Sequence, residues 1–406
     1  MNATRVRQAV AKVDAATPAH RDRALDGLRA LALLAVPTGH WLLGGFTRDG
    51  DGGLHNASPL SSFPSLAPLS WVLQMLGIFF FLVGGYASAL SYRRASERGE
   101  SARSWIAGRL VRLGRPVVGV TAIWAGLLTV LWWSGVPDAT LHTAATLVIQ
   151  PLWFVGVYGA VTALTPWCAR AARKAGPWAA VPLLGTVAVV DLLRYGPWSA
   201  GMPTWLSLLN VLPGWLFAYQ LGVGWGEGRM SRRAAKVLLF GGAALFAVLL
   251  WEFGYPMSMV GVPGEARTNS HPPSLLVLAL GAFQSGAAVL LRDRLASLLR
   301  RPSWWAPVVA VNLSAMTILC WHQAAMLTAA IPGAALGVVP GLTSAPDTAG
   351  WVAARVMWIP LFAALLTVTA KSARRLDAPW TGAGRWIRVV AGVLAAGFVI
   401  FALRLA

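Results

Sequence analysis

Long apolar runs, separated by short polar segments, recur along the whole chain. Eleven of them approach the roughly 20 predominantly apolar residues that a membrane-spanning helix needs. The predicted spans cover residues 25–45, 66–92, 116–134, 141–165, 178–194, 203–225, 235–252, 272–291, 304–333, 350–370 and 386–405. We therefore expect an all-α polytopic membrane protein, a bundle of about 10–11 transmembrane helices.

The polar segments define the domain organisation. Residues 1–24 are basic and polar and are predicted to form a cytoplasmic tail. Residues 25–406 are expected to form a single transmembrane domain with no fused extracytoplasmic domain. The two longest segments on the predicted outer side, 46–65 and 253–271, are rich in Gly, Pro and Ser. They are interpreted either as a lid or acceptor surface or as plain connectors.

Basic residues alternate between the two sides of the predicted bundle. Of the 34 Lys and Arg residues, 29 fall in the N-terminal tail, at the start of the first span or in every second loop, and five fall on the opposite side. Cytoplasmic segments carry such an excess, so the N-terminus is predicted to be cytoplasmic. Eleven spans would then place the C-terminus outside.

Composition supports this assignment and excludes other classes. The chain is 56% hydrophobic and 12% charged, whereas soluble domains carry about 25% charged residues. The net charge of +19 is mainly a topology signal, so we expect no nucleic-acid partner. Only Cys168 and Cys320 are present, which indicates neither a disulfide framework nor a metal site.

The first predicted span carries three titratable residues, Asp26, Arg29 and His40. Such residues are costly in a bilayer and are functional candidates by default. Arg29 and His40 are eleven positions apart, which places them within about 20° of each other on a helix. His40 can act as a general base. Each residue also has a structural alternative. His40 could form a hydrogen bond with a neighbouring helix, and Arg29 could extend to the lipid headgroups. Asp26 could pair with Arg29 or interact favourably with the dipole at the helix N-terminus.

Further candidates lie in later segments. Arg109 and Arg112, before the third span, would form part of a cationic stripe suited to phosphate oxygens, although ordinary positive-inside charge explains them too. The second span contains Phe79-Phe80-Phe81-Leu82-Val83-Gly84-Gly85-Tyr86, which predicts helix packing or a substrate channel. The ninth span contains Trp321-His322, a second deeply placed imidazole that either bonds between helices or takes part in catalysis.

In this order and spacing, these segments resemble the acyltransferase 3 family of integral membrane O-acyltransferases. Leu25-Asp26-Gly27-Leu28-Arg29, followed by His40, is similar to the opening motif of the family. The Phe79–Tyr86 segment is similar to its Phe-Phe-x-x-Ser-Gly-Phe element, with Gly84 in place of Ser. Arg109-x-x-Arg112 is similar to its basic motif, and Leu152-Trp153-Phe154 and Trp321-His322 to two later elements.

The resemblance implies transfer of an acyl group, expected to be acetyl, from acyl-CoA to a hydroxyl of a sugar, cell-envelope glycan or secondary metabolite. The family's essential residues correspond to Arg29 and His40, and its loop arginine to Arg112. Acyl-CoA would be a co-substrate, with no permanently bound cofactor.

From these residues we predict three groups of site residues. The catalytic group is His40, Arg29 and Asp26; the acyl-CoA-binding group is Arg109 and Arg112; the acceptor or relay group is His322, Trp321 and Tyr86. His40 would act as base or carry the acyl group transiently.

The expected location is the plasma membrane, in contact with lipids; the abundance of Arg and Ala suggests a bacterial cytoplasmic membrane. The main alternative is a transporter that exports a sugar, lipid or small metabolite, since intramembrane His and Arg suit that role too. A third is an inactive scaffold of an envelope complex.

Overall fold

The computed structural model describes residues 3–197, 199–265, 267–373 and 384–405. Sixteen α-helices and one short hairpin occur in these residues. The helices are α1 Ala3–Ala15, α2 Arg23–Leu43, α3 Leu69–Leu73, α4 Ile78–Glu97, α5 Ala102–Trp133, α6 Asp138–Ile149, α7 Leu152–Ala163, α8 Thr165–Ala175, α9 Val181–Tyr195, α10 Val211–Gly226, α11 Arg232–Trp251, α12 Leu275–Leu298, α13 Pro302–Leu313, α14 Ala315–Leu336, α15 Ala349–Ala373 and α16 Arg385–Leu405. The strands are β1 Gly45–Arg48 and β2 Leu54–Ala57.

The predicted all-α polytopic membrane class is confirmed. Within the described residues, eight helical segments are long and apolar enough to cross a membrane. They are Pro64–Glu97, Ala102–Trp133, Asp138–Ala163, Thr165–Tyr195, Thr204–Gly226, Arg232–Trp251, Leu275–Leu298 and Ala349–Ser372. The pair α13 and α14 makes a ninth if it is one span, with a bend of 75°.

The predicted number of about 10–11 spans is therefore larger than the eight to nine that meet these conditions in the described part of the chain. The first predicted span corresponds to α2, a 21-residue helix. Its Asp26, Arg29 and His40 make it less apolar than the others. The last predicted span corresponds to α16, whose final side chains lie outside the described residues.

Helix α2 begins where its sequence provides a cap. The carboxylate of Asp22 accepts hydrogen bonds from the backbone N–H groups of Ala24 and Leu25, at 3.1 and 3.2 Å. These are two of the N–H groups that a helix leaves without intrahelical partners. Asp22 also forms an ion pair with Arg292 of α12, at 2.7 Å. The start of α2 is thus fixed against a second helix.

Helices α4 and α10 approach each other closely through glycines. A Cβ atom at Gly85 would collide with the carbonyl oxygen of Tyr219, and one at Gly222 with that of Leu82. The packing interpretation of the Gly84-Gly85 pair therefore applies to Gly85. Gly84 faces a different neighbour, because a Cβ there would collide with the side-chain hydroxyl of Tyr158.

The first long loop forms a hairpin that closes over the end of α2. Strands β1 and β2 are antiparallel and pair Gly45 with Ala57 and Arg48 with Leu54. The hairpin is held by α6, since Leu54 N–H donates to Thr140 Oγ1 at 3.0 Å and Thr143 Oγ1 donates to the Leu54 carbonyl at 2.7 Å. The loop is therefore ordered against the bundle.

Candidate active site

A cavity of about 410 Å³ lies beside the C-terminal half of α2. Three histidines line it: His40 from α2, His322 from α14, and His271 from the loop before α12. We call it the histidine cavity. Both long loops reach it, since Asn56–Ser58 and Val260–Gly261 are among its lining residues. Its volume is in the range of sites that hold small-molecule ligands.

His40 and His322 lie next to each other in this cavity. Their ring centroids are 5.1 Å apart and the rings are tilted by 47°. The amide Nε2 of Gln323 lies 3.2 Å from His40 Nδ1 and 3.4 Å from Gln150 Oε1. Two helices distant in sequence, α2 and α14, thus bring two imidazoles into contact and place an amide within hydrogen-bond distance of His40.

The tautomer of His322 is set by its own helix. Its Nδ1 lies 2.9 Å from the carbonyl oxygen of Leu319 and 3.1 Å from that of Ile318. Carbonyl oxygens only accept, so the proton of the neutral ring is on Nδ1 and the Nε2 lone pair is free to accept. His322 Nε2 is buried and has no hydrogen-bond partner among the described residues. It is therefore a site that can receive a proton.

His271 is the third imidazole of the cavity. Its ring packs edge-on against Trp153, with centroids 4.8 Å apart, and its Nδ1 lies 2.7 Å from Ser270 Oγ. Burial lowers the pKa of His271 from its usual value, because the protonated ring would be poorly hydrated inside the protein. Asn269, from the same segment, bonds the carbonyls of Pro256 and Ser258, so it shapes the loop that positions His271.

The structure separates Arg29 from the histidines. Arg29 is absent from the described residues that line the histidine cavity, and its guanidinium lies 5.3 Å from the ring centroid of Phe80. Among the described residues, the ion-pair partner of Asp26 is Arg21, with Arg21 Nη2 at 2.8 Å from Asp26 Oδ1. The expected Asp26–Arg29 ion pair is therefore not formed, because Arg21 reaches back from the preceding turn and takes up the carboxylate.

Arg109 and Arg112 line a smaller cavity of about 110 Å³, together with Tyr158. We call it the arginine pocket. Arg109 packs over the ring of Trp105 at 5.3 Å and donates to Ser91 Oγ, whereas Arg112 is exposed. The two predicted acyl-CoA-binding arginines are thus brought together, at a place distinct from the three histidines.

Two of the predicted acceptor residues lie elsewhere. Tyr86 packs edge-on against Trp225, with ring centroids 5.3 Å apart. Trp321 belongs to the apolar core cluster that also contains Trp41. Neither is among the described residues that line the histidine cavity or the arginine pocket. Of that predicted group, only His322 reaches a cavity.

A buried arginine that the sequence did not single out holds the end of α2. Arg355 of α15 is fully buried and donates to the carbonyl oxygens of Trp41, Gly44 and Gly341, at 2.6, 2.7 and 3.0 Å. The available signal was its position inside a long apolar run, because a charged residue in a membrane-spanning segment is a functional candidate by default. Trp41 in turn donates from Nε1 to the His322 carbonyl at 2.9 Å.

Within the part of the chain that the structure describes, no group of three or more His, Cys, Asp or Glu side chains is arranged to hold a metal ion. The polar groups that line the two cavities are imidazole, amide, hydroxyl and guanidinium groups. Imidazoles at a cavity suit proton transfer, and guanidinium groups suit binding of phosphate or carboxylate oxygens.

Comparison with known proteins identifies the family of the chain. A family model described as "Acyltransferase domain", that of the acyltransferase 3 family, matches residues 22–370, which is more than half of the chain. No curated protein and no solved structure matches. The matched region begins at the cap of α2 and includes both cavities and most of α15. The chain belongs to the acyltransferase 3 family and is an acyltransferase.

Proposed function

We propose that this protein transfers an acyl group, expected to be acetyl, from acyl-CoA to a hydroxyl of an uncharged acceptor, a sugar or a small metabolite. The observation that carries the proposal is the pairing of His40 and His322 in a cavity of ligand size. The arginine pocket supplies a separate place for an anionic donor.

The donor would bind at the arginine pocket. Coenzyme A carries several phosphate oxygens, and guanidinium groups bind them through charge-assisted hydrogen bonds. Arg112 is exposed, so its guanidinium is accessible to a ligand. Arg109 is held in place by Trp105 and Ser91, so its guanidinium is preorganised. Positive-inside charge would place this pocket toward the cytoplasm, where acyl-CoA is made.

The reaction would proceed at the histidine cavity. The acceptor O–H proton goes to an imidazole of the His40–His322 pair, the oxygen bonds to the thioester carbonyl carbon, and the C–S bond breaks. The leaving thiolate takes up the proton, so the products are an acyl ester and free CoA. A two-step route, in which His40 first carries the acyl group, uses the same atoms and gives the same products.

The lining of the histidine cavity supports an uncharged acceptor. None of the described lining residues is Asp, Glu, Lys or Arg. The polar groups present are imidazoles, the amides of Asn56, Gln74, Gln150 and Gln323, and a few hydroxyls, next to rings such as Trp153. A charged acceptor would lose its hydration without gaining an ionic partner.

The experiment is acyl transfer by the purified protein in proteoliposomes, which enclose a compartment and so also report transport. The donor is radiolabelled acetyl-CoA, and the acceptors are a panel of neutral glycosides that begins with methyl β-D-glucoside. We expect a product heavier by one acetyl group and release of free CoA. Passage of the glycoside without a change in mass would instead indicate the transporter alternative, and no release of CoA with any acceptor would contradict the proposal.

Variants locate the reaction in the cavity. His40→Ala and His322→Ala should each lower turnover by about 100-fold or more, the usual contribution of a general base. His142→Ala is the matched control, because His142 lies exposed on α6 and lines neither cavity. A His40→Ala protein that inserts, folds and keeps full transfer would refute the assigned role. An acid-quench trap of labelled protein, lost in His40→Ala, would select the two-step route.

The proposed location is a bacterial cytoplasmic membrane with α1 on the cytoplasmic side. The alternation of Lys and Arg between loops supports this orientation. Accessibility of single cysteines placed in the hairpin and in α1, in the otherwise Cys-free protein, would test it.

A further inference from the structure

Four aromatic side chains pack where the histidine cavity and the arginine pocket approach each other. Phe80 and Phe81 come from α4, and Phe154 and Tyr158 from α7, and we call these four the aromatic cluster. The ring of Phe154 lies 5.1 Å from that of Phe80 and 5.0 Å from that of Phe81, edge-on in both cases. Phe80 and Tyr158 also meet edge-on, at 5.5 Å. These are favourable geometries for aromatic rings.

The cluster has one side on each cavity. Phe80, Phe81 and Phe154 line the histidine cavity, whereas Tyr158 lines the arginine pocket. Phe154 and Tyr158 are one helical turn apart on α7, and their rings stack at 5.8 Å with an angle of 16°. The stacked pair therefore has one ring at each cavity.

The rings are confined by their surroundings. Phe80 and Phe81 are buried, and Phe81 also stacks on Trp215 at 5.0 Å. The side chain of Tyr158 occupies the space left by Gly84, where any Cβ atom would collide with its hydroxyl. On the opposite side the guanidinium of Arg29 lies over the ring of Phe80. Displacing a ring therefore requires movement of its neighbours.

We infer that the aromatic cluster selects the size of the acyl group, with Phe154 and Tyr158 as the specificity-determining residues. The inference rests on the proposed function, in which a thioester whose CoA portion is held at the arginine pocket reacts in the histidine cavity. The acyl group must then pass the stacked pair. A two-carbon group crosses in one brief displacement of the rings, whereas a long chain must keep them apart while its whole length passes.

Substitution of the rings tests the inference. Phe154→Ala and Tyr158→Ala each remove one ring of the stacked pair and should raise the ratio of octanoyl to acetyl transfer by about tenfold or more, the effect of a few methylenes in an apolar site. Phe154→Leu keeps most of the apolar volume without the ring and should raise the ratio less. Phe240→Ala is the control, because Phe240 is exposed on α11 and lines neither cavity.

The measurement is kcat/KM for acetyl-CoA, butanoyl-CoA and octanoyl-CoA in nanodiscs, with release of CoA thiol as signal and methyl β-D-glucoside as acceptor. If Phe154→Ala does not fold, Tyr158→Ala and Phe154→Leu decide. Unchanged chain-length ratios in folded variants that still transfer acetyl would overturn the inference and leave the proposed function intact. Absence of transfer by the wild-type protein with all three donors would instead refute the proposed function.

Discussion

Replacement of Arg355 by alanine should both destabilise the protein and disturb His40. The guanidinium of Arg355 is fully buried and donates to the carbonyl oxygens of Trp41, Gly44 and Gly341. Two of these carbonyls belong to the end of α2 and to Gly44, the residue that caps it, directly before the hairpin begins. Arg355 thus satisfies acceptors that α2 itself leaves open.

The magnitude follows from the number of acceptors left without a partner. A buried acceptor that loses its hydrogen bond costs about 1–3 kcal/mol, so three of them set a range of about 3–9 kcal/mol. Partial relaxation and hydration of the carbonyls reduce that sum. Loss of the desolvated cation also removes a penalty. We therefore expect a free energy of unfolding lower by about 3–5 kcal/mol.

The assay is thermal unfolding in detergent, together with acyl transfer. Arg355→Ala should lower the unfolding midpoint and, if folded, reduce transfer by about 100-fold, the effect of a catalytic group displaced by about 1 Å. Arg355→Lys should recover only part of either quantity, because an ammonium cannot reproduce the planar fork. Arg170→Ala, at an exposed position on α8, is the control. An Arg355→Ala protein with an unchanged midpoint would refute the reasoning.

Three further predictions concern packing, capping and pH. Gly222→Ala should prevent close contact of α4 with α10 and reduce the yield of folded protein on size-exclusion chromatography, whereas Gly224→Ala, where a Cβ meets open space, should not. Asp22→Ala should lower the unfolding free energy by about 1–2 kcal/mol through loss of the α2 cap, and Asp22→Asn by less, as judged by denaturant titration. Burial lowers the pKa of His271, so the unfolded chain binds its proton more readily and stability should fall as pH drops below about 6.5; His271→Gln should make the midpoint less dependent on pH.

The sequence predicted the helices and the positions of the candidate residues better than their contacts. Apolar runs and basic loops are local properties, so the class of fold could be inferred from them. The pairing of Asp26 with Arg21 could not be inferred from the sequence, because several cations lie within about one helical turn of this carboxylate and compete for it. The hairpin at 45–57 was missed as well, since its short strands are held by Thr140 and Thr143 of α6 rather than by a strong pattern of their own.

The sequence also did not show which residues come into contact in the folded protein. His40 and His322 were both recognisable as polar groups in apolar helices, but only the packing of α2 on α14 brings their rings to 5.1 Å. Tyr86 illustrates the reverse case, because its segment contains cavity-lining rings while Tyr86 itself packs against Trp225 on another side of α4. Sequence spacing fixes the face of a helix, and the neighbouring helix decides what that face contacts.

The eleven-residue separation of Arg29 and His40 acquires a physical meaning from the aromatic cluster. The two residues are about 16 Å apart along the axis of α2, too far to act on one bond. Arg29 contacts Phe80 of the cluster, and His40 lines the cavity beyond it. Under the proposed function, Arg29 would attract the anionic donor. His40 would act in the histidine cavity, whose described lining residues include no Asp, Glu, Lys or Arg. Under the same proposal, α2 connects the cluster residue Phe80, which Arg29 contacts, to the histidine cavity, where the acyl group would be transferred.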